Sequence, residues 1–228
     1  WRVADPAEVA AITEGFRAVP TTYIADGHHR AASAVKVALK RRAEHPDYTG
    51  KEEFNYFLSV LFPEEELRIL PYNRVVVDLN GESPADLLLA LDQAFTIRDN
   101  GETVPTPGKK GEVGMYLDGH WYALCVREEL REEDPVEGLD VSFLQNLVLA
   151  PLLGIEDPRT SERIRFIGGI RGSEELERLV DQKGGVAFLM YPTQMEELLS
   201  VADAGLLMPP KSTWFEPKLR SGLFIHTL

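Results

Sequence analysis

The stretch Gly114-Met-Tyr-Leu-Asp-Gly-His-Trp-Tyr-Ala-Leu-Cys-Val126 predicts a β-hairpin, because two apolar runs flank the turn pair Asp118-Gly119. After it, predicted helices and strands alternate towards the end of the chain. They are a helix over 141–153, a strand over 164–167, a helix over 173–182 capped by Ser173, a strand over 186–191, and a helix over 193–204 with Thr193 and Glu196 as its capping box. A hairpin combined with this alternation predicts a mixed α/β (α+β) fold with antiparallel pairing in its sheet.

Before the hairpin the same kinds of signal repeat. Asp5-Pro6 caps a predicted helix over 1–16, a β-branched and aromatic run predicts a strand over 21–25, and an alanine-rich helix begins at His29. Further strands are predicted over 54–62 and 74–79, a helix over 85–94, and a last strand over 222–225.

The strongest loop signal is the glycine- and proline-rich stretch 100–111. We expect an exposed hairpin or a joint there. The predicted organisation is an α/β part over 1–99 and a second α/β part over 100–228 with a basic C-terminal tail, two parts that could also form one compact unit. Because the first residue is Trp1 and not Met, we expect a boundary there.

Composition narrows the class of protein. A net charge of -13 opposes binding to nucleic acid or anionic membranes, and the two short basic stretches, 36–42 and 211–220, are weak evidence for either. No apolar run approaches the ~20 residues of a membrane-spanning helix. The single cysteine, Cys125, fits a reducing compartment. We therefore expect a cytoplasmic protein that binds small molecules. The sequence is also compatible with a homo-oligomer.

The turn Asp26-Gly27-His28-His29-Arg30 is the leading candidate site. Glycine allows backbone to approach a ligand, and a helix that starts there offers unpaired amides and the positive end of its dipole to an anion. Histidine and arginine add charge-assisted donors. This pattern predicts a phosphate site. The alternative is structural: Asp26 caps the helix, one histidine packs in the core, and Arg30 pairs with an acid.

A second anion-contacting group is predicted in the proline-stiffened tail. Its members are Lys211, Ser212, Thr213, Lys218 and Arg220. The alternative is a basic tail that only anchors the last strand. The turn Gly168-Gly169-Ile-Arg-Gly172 is a weaker candidate, because it lacks the full spacing of a nucleotide-binding fingerprint.

A metal site competes for the same turn, since Asp26, His28 and His29 are all ligand types. His45, His120 and His226 are isolated in the sequence, so no second cluster supports a transition metal. Mg²⁺ that arrives with a nucleotide fits better, because phosphates supply most of its ligands and Asp26 could supply one carboxylate.

The segment Tyr-Ile-Ala-Asp-Gly-His-His-Arg30, with Lys211-Ser-Thr213 and Pro217-Lys-Leu-Arg-Ser-Gly222, resembles the uncharacterised family DUF 1015. Members of that family are commonly longer on the N-terminal side, which implies that this chain is the C-terminal part of a larger protein. The turn also resembles the nucleotide-binding turn of the ParB and sulfiredoxin superfamily, which includes a free-serine kinase. That resemblance implies a ParB/sulfiredoxin-like element around the turn.

The superfamily resemblance implies that His28 and Arg30 hold nucleotide phosphates; His29 has no precedent there. It also implies ATP or ADP, or else CTP, with Mg²⁺, and a small-molecule kinase in which His28 and Arg30 stabilise phosphate charge. In such a kinase we expect Asp26 to act in catalysis as well, by positioning Mg²⁺ or the acceptor hydroxyl. Sulfiredoxin chemistry is not expected, because the turn has no cysteine. The alternatives are a nucleotide- or metabolite-sensing module without turnover and a metal-dependent phosphoesterase.

Overall fold

A computed structural model describes residues 2–220 and 222–227. The chain forms two compact units, Trp1–Val60 with Arg220–Leu228, and Leu61–Leu219. The boundary expected between residues 99 and 100 falls within a strand of the second unit. Helices and antiparallel sheets occur together, so the predicted mixed α/β class is confirmed. None of the helices within the described ranges has both the length and the apolar character needed to cross a bilayer.

The first unit is built on two helices, α1 (Pro6–Arg17) and α2 (His28–Glu44). Asp5 caps α1 as predicted, because its Oδ1 accepts hydrogen bonds from the first-turn amides at 2.9 and 3.1 Å. The end of α2 is tied to the 3₁₀ turn Glu53–Asn55 through Arg42, whose Nε donates to Asn55 Oδ1 at 2.8 Å. Neither helix contains a buried residue.

Three strand predictions are wrong. Residues 21–25 and 222–225 form no strand, and 54–62 consists of part of a 3₁₀ turn followed by irregular backbone. These runs have the β-branched and aromatic residues that favour strands. That preference is realised only when a neighbouring strand supplies hydrogen bonds and side-chain contacts, and these segments pair with none.

The second unit contains eight strands. A six-stranded antiparallel sheet has the order β3-β5-β4-β7-β2-β6, and β1 pairs with β8 in a separate ribbon. The strands are β1 (Arg68–Leu70), β2 (Tyr72–Val76), β3 (Phe95–Gly101), β4 (Glu112–Leu117), β5 (His120–Val126), β6 (Ile164–Gly168), β7 (Val186–Met190) and β8 (Trp214–Glu216). The predicted hairpin is confirmed as β4–β5. Asp118 and Gly119 both have positive φ, 50° and 79°, as a tight hairpin turn of this kind requires.

Helices cover both faces of this sheet. They are α3 (Pro84–Leu91), α4 (Asp140–Leu144), α5 (Glu174–Lys183) and α6 (Met195–Asp203), and α4 continues into a π-helix, Gln145–Leu149. On β2, Val76 faces a core built with α3, α4, the π-helix and α6, whereas Val75 faces a smaller core built with α5. The alternation along β2 therefore places neighbouring residues in different layers.

Two predicted helix starts need correction. The capping box of α6 is Gln194 with Glu197, one residue later than predicted, because the Thr193 hydroxyl donates instead to the carbonyl of Ser212 at 3.1 Å. Ser173 precedes α5 as predicted, but its side chain makes no capping hydrogen bond.

Gly185 lies just before β7, where the chain passes very close to β2. A Cβ atom at this position would lie 1.9 Å from the carbonyl oxygen of Val76, and the residue has a φ of +88°. The atoms that this Cβ would meet belong to the backbone, which cannot move aside as the end of a flexible side chain could. Gly185 is therefore required for the β7–β2 contact.

We expect Gly185→Ala to lower the free energy of unfolding by at least ~3 kcal/mol, since a backbone clash adds to left-handed strain. The matched control is Gly119→Ala, which has a similar φ of +79° but open space around its Cβ. That change should cost ~1 to 2 kcal/mol, the strain alone. Chemical denaturation followed by circular dichroism measures both, and equal losses would contradict the proposed clash.

Asp140, the first residue of α4, is a buried carboxyl group with 9% of its surface exposed. Burial raises its pKa to about 6, although the backbone amide of Gly111 donates a hydrogen bond to Oδ1 at 2.8 Å and opposes that rise. Between pH 3.8 and about pH 6 the folded protein therefore holds a proton here that the unfolded chain has lost.

Because the folded-state pKa is raised, Asp140 contributes stability at low pH that is lost as the pH rises through about 6. As the pH rises from 3.8 to about 6, we expect the free energy of unfolding of Asp140→Asn to rise relative to that of wild type by about 3 kcal/mol. Denaturation at a series of pH values measures it. Asp134→Asn is the control, because hydrogen bonds from the amides of Glu137 and Val136 lower the pKa of Asp134, so its dependence on pH has the opposite sign. A constant difference between wild type and Asp140→Asn would refute the assignment.

Candidate functional site

The turn at the start of α2 is shaped by Gly27. Its φ of 83° and ψ of 26° are left-handed, a conformation that glycine adopts without steric cost. The first helical bond runs from the amide of Ala31 to the carbonyl of Gly27 at 3.0 Å. Among the described residues, nothing accepts a hydrogen bond from the amides of residues 28–30. The turn therefore presents three amide donors and the positive end of a 17-residue helix.

The charged side chains of this turn face solvent. His28, His29 and Arg30 are all exposed, so the alternative in which a histidine packs in the core is wrong. The Arg30 guanidinium folds back over the turn, since a Cβ on Gly27 would lie 3.0 Å from its Nη2. Nη2 lies 3.8 Å from Asp26 Oδ2, a loose and exposed ion pair of the kind the structural alternative anticipated.

The anion-contacting group predicted in the tail is split between the two units. Arg220 belongs to the first unit with the turn, and Lys211, Ser212, Thr213 and Lys218 belong to the second. Within the second unit, Lys211 Nζ lies 5.6 Å from the centre of the Tyr72 ring and Lys218 Nζ lies 5.3 Å from that of Trp214. Both lysines are exposed.

The hydroxyl groups of the tail are less accessible. Ser212 is buried and donates its hydroxyl proton to the carbonyl of Pro209, and Thr213 is half-buried. The exposed donors of the tail in the second unit are therefore its lysines. Tail residues Trp214–Glu216 form β8, a strand that the sequence analysis did not predict.

The turn Gly168–Gly172 has a packing explanation. A Cβ on Gly168 would lie 2.6 Å from the Trp214 ring, and one on Gly169 would lie 2.7 Å from the Pro71 ring. Both glycines allow close contact between elements, so their presence needs no ligand.

Sequence reasoning missed a cavity of about 420 Å³ in the second unit. Arg74 borders it from β2, and Gln145 borders it from the π-helix. The available signal was the arginine itself, a charged residue directly before the buried run Val75-Val76 of a central strand.

Metal ligands do not cluster within residues 2–220 and 222–227, where no group of three His, Cys, Asp or Glu residues could hold an ion. Asp26 by itself offers one carboxylate. This arrangement fits Mg²⁺ only where a bound phosphate supplies most of the coordination.

Solved structures of free serine kinase resemble this chain at low identity. A complex with AMP has 13% identity and a TM-score of 0.43, covering 94% of this chain and 81% of that one. A mutant in complex with ADP has 12% identity and a TM-score of 0.41, covering 84% and 66%. A search of curated proteins finds no match.

A family model described as "Protein of unknown function (DUF1015)" matches residues 1–142. The matched part includes the turn at Asp26–Arg30, whereas the tail segments 211–213 and 217–222 lie outside it. Because the match covers more than half of the 228 residues, the chain belongs to the DUF1015 family.

Proposed function

We propose that this protein binds the phosphate groups of a nucleotide at the N-terminus of α2. The observation that carries the proposal is the left-handed turn at Gly27, after which the amides of residues 28–30 find no acceptor among the described residues and point away from the helix. Three converging amides and a helix dipole are a common way to hold phosphate.

Local charge supports this proposal. The chain as a whole carries -13, but α2 contains five lysine and arginine residues against one glutamate. Of these five, Arg30 lies in the first turn, where its charge can act directly on a bound phosphate, and the other four lie further along the helix. The exposed imidazoles and the Arg30 guanidinium can add charge-assisted hydrogen bonds, which are about twice as strong as neutral ones.

The finer proposal is transfer of the terminal phosphoryl group to a hydroxyl of a small metabolite. Such a reaction depends mainly on stabilising negative charge, which the amides, His28 and Arg30 would do. Asp26 would orient the acceptor hydroxyl or hold Mg²⁺ together with the phosphates. Mg²⁺, when bound, would supply further charge neutralisation. The choice of ATP, ADP or CTP rests on the likeness of the turn to the ParB and sulfiredoxin superfamily.

We expect Arg30→Ala to weaken nucleotide binding by about 10- to 100-fold, because a charge-assisted hydrogen bond to phosphate contributes ~1.5 to 3 kcal/mol. Isothermal titration calorimetry with ATP, ADP, AMP and CTP measures the change. The matched control is Arg41→Ala on the same helix. Arg41 lies ~16 Å further along the axis, beyond the reach of a screened charge, so binding should change less than about twofold.

Absence of binding by wild type, or equal binding by wild type and Arg30→Ala, would end the proposal. Product analysis with candidate hydroxyl acceptors then separates phosphoryl transfer from binding without turnover. A sensing module would bind the nucleotide with unchanged affinity and form no phosphorylated product.

A further inference from the structure

Arg74 is a buried cation that pairs with no acid among the residues the structure describes. It lies on β2 between β6 and β7, and only 3% of its surface is exposed. Its guanidinium donates hydrogen bonds to the carbonyls of Tyr72 and, at 3.2 Å, Lys211, and it lies 5.6 Å from the centre of the Phe166 ring. No carboxylate in the described part of the chain forms an ion pair with it.

Such a residue is unusual, because buried arginines are almost always paired with acids. Burial lowers the pKa of Arg74 to about 10, which still leaves the guanidinium charged at neutral pH. The two carbonyls use two of its five N–H donors. Positive charge and the remaining donors therefore stay uncompensated by the described residues.

The cavity in front of Arg74 is large enough for a small metabolite. Its volume is about 420 Å³, within the usual range for ligand sites. Arg74 and Phe166 border it from the sheet, and Gln145 and Leu149 border it from the π-helix. Pro209 and Pro210 border it as well.

Gln145 provides a second, independent sign of a ligand. Its Nε2 donates to the carbonyls of Ile155 at 2.8 Å and Glu156 at 3.3 Å, and these two acceptors fix the orientation of the amide. Its Oε1 is buried and accepts no hydrogen bond from the residues described. A buried acceptor left in this state destabilises the fold, so a bound donor that reaches it would be favoured. The π-helix that carries Gln145 is itself a feature common at functional sites.

Other polar side chains around the cavity have partners, whereas Glu156, which also borders it, is exposed. Arg159 forms a two-point ion pair with Asp157, with Nη2–Oδ2 at 2.8 Å and Nε–Oδ1 at 2.9 Å. Asn146 Nδ2 donates to Glu137 Oε2 at 2.7 Å. Within the described residues, buried Arg74 therefore lacks an acid and buried Gln145 Oε1 lacks a donor, and these two groups set the chemistry of the occupant.

We propose that this cavity binds a small metabolite that carries an anionic group for Arg74 and a hydroxyl or ammonium donor for Gln145 Oε1. The anionic group is a carboxylate or a phosphate, since the arginine fork suits both. The site uses none of the residues at the N-terminus of α2, and it stands independently of nucleotide binding there.

The test is titration of the whole chain with D-glycerate, L-alanine and glycerol 3-phosphate, and with glycerol as the uncharged control. The first two offer a carboxylate and the third a phosphate, so their relative affinities identify the anionic group. Calorimetry gives the affinities. Heteronuclear NMR should show that the side-chain resonances of Gln145 and Arg74 shift in wild-type protein, while glycerol has no effect.

Arg74→Lys keeps the charge but loses the planar fork, and we expect it to bind at least about tenfold more weakly. Arg159→Ala is the matched control, because Arg159 borders the same cavity but is already paired, and it should bind within about threefold of wild type. If Arg74→Lys fails to fold, the NMR shifts of wild type decide the matter without it.

The proposal is overturned if no probe binds at millimolar concentration, if the probes bind without shifting Gln145 and Arg74, or if a folded Arg74→Lys binds as wild type does. Shifts confined to residues 27–30 would also overturn it, and would leave the α2 proposal intact.

Discussion

The central strand β7 is the constraint on which the second unit depends. Val186, Ala187 and Phe188 are completely buried, and their strand pairs with β4 on one side and β2 on the other. Since β7 joins the hairpin half of the sheet to the β2–β6 half, both cores and the cavity before Arg74 exist only while these two pairings hold. The close approach at Gly185 is part of the same constraint.

The first unit is held together differently. Its helices bury no residue, and its local order comes from caps and polar contacts around a few side chains. Glu52 is an example: it accepts hydrogen bonds from the amides of Thr49 and Gly50, and these bonds lower its pKa to about 2. A unit organised by such contacts presents its polar groups at the surface, as the turn at Gly27 does. That exposure is what makes the turn a candidate for binding.

Local signals were sufficient where the structure is decided locally. The Asp118-Gly119 turn, the Asp5 cap and the glycine before α2 were all predictable, because each depends on residues a few positions apart. The strands expected over 21–25 and 54–62 failed because strand propensity needs a partner strand. For the same reason β8 was missed, since its partner β1 lies far away in the sequence. The burial of Arg74 is also tertiary: its strand pairs with β6 and β7, and its guanidinium donates to the carbonyl of Lys211.

The pairing of β2 has a consequence for how the second unit folds. The Asn73 side chain accepts a hydrogen bond from the amide of Met190, a residue 117 positions away, and Arg74 contacts a carbonyl 137 positions away. Loops of this length must close before their contacts contribute any stability, so this topology favours slow folding. During synthesis on the ribosome, β2 has no partner strand until β6 and β7 have emerged, and until then the unpaired backbone groups of its edges are open to association with other nascent chains.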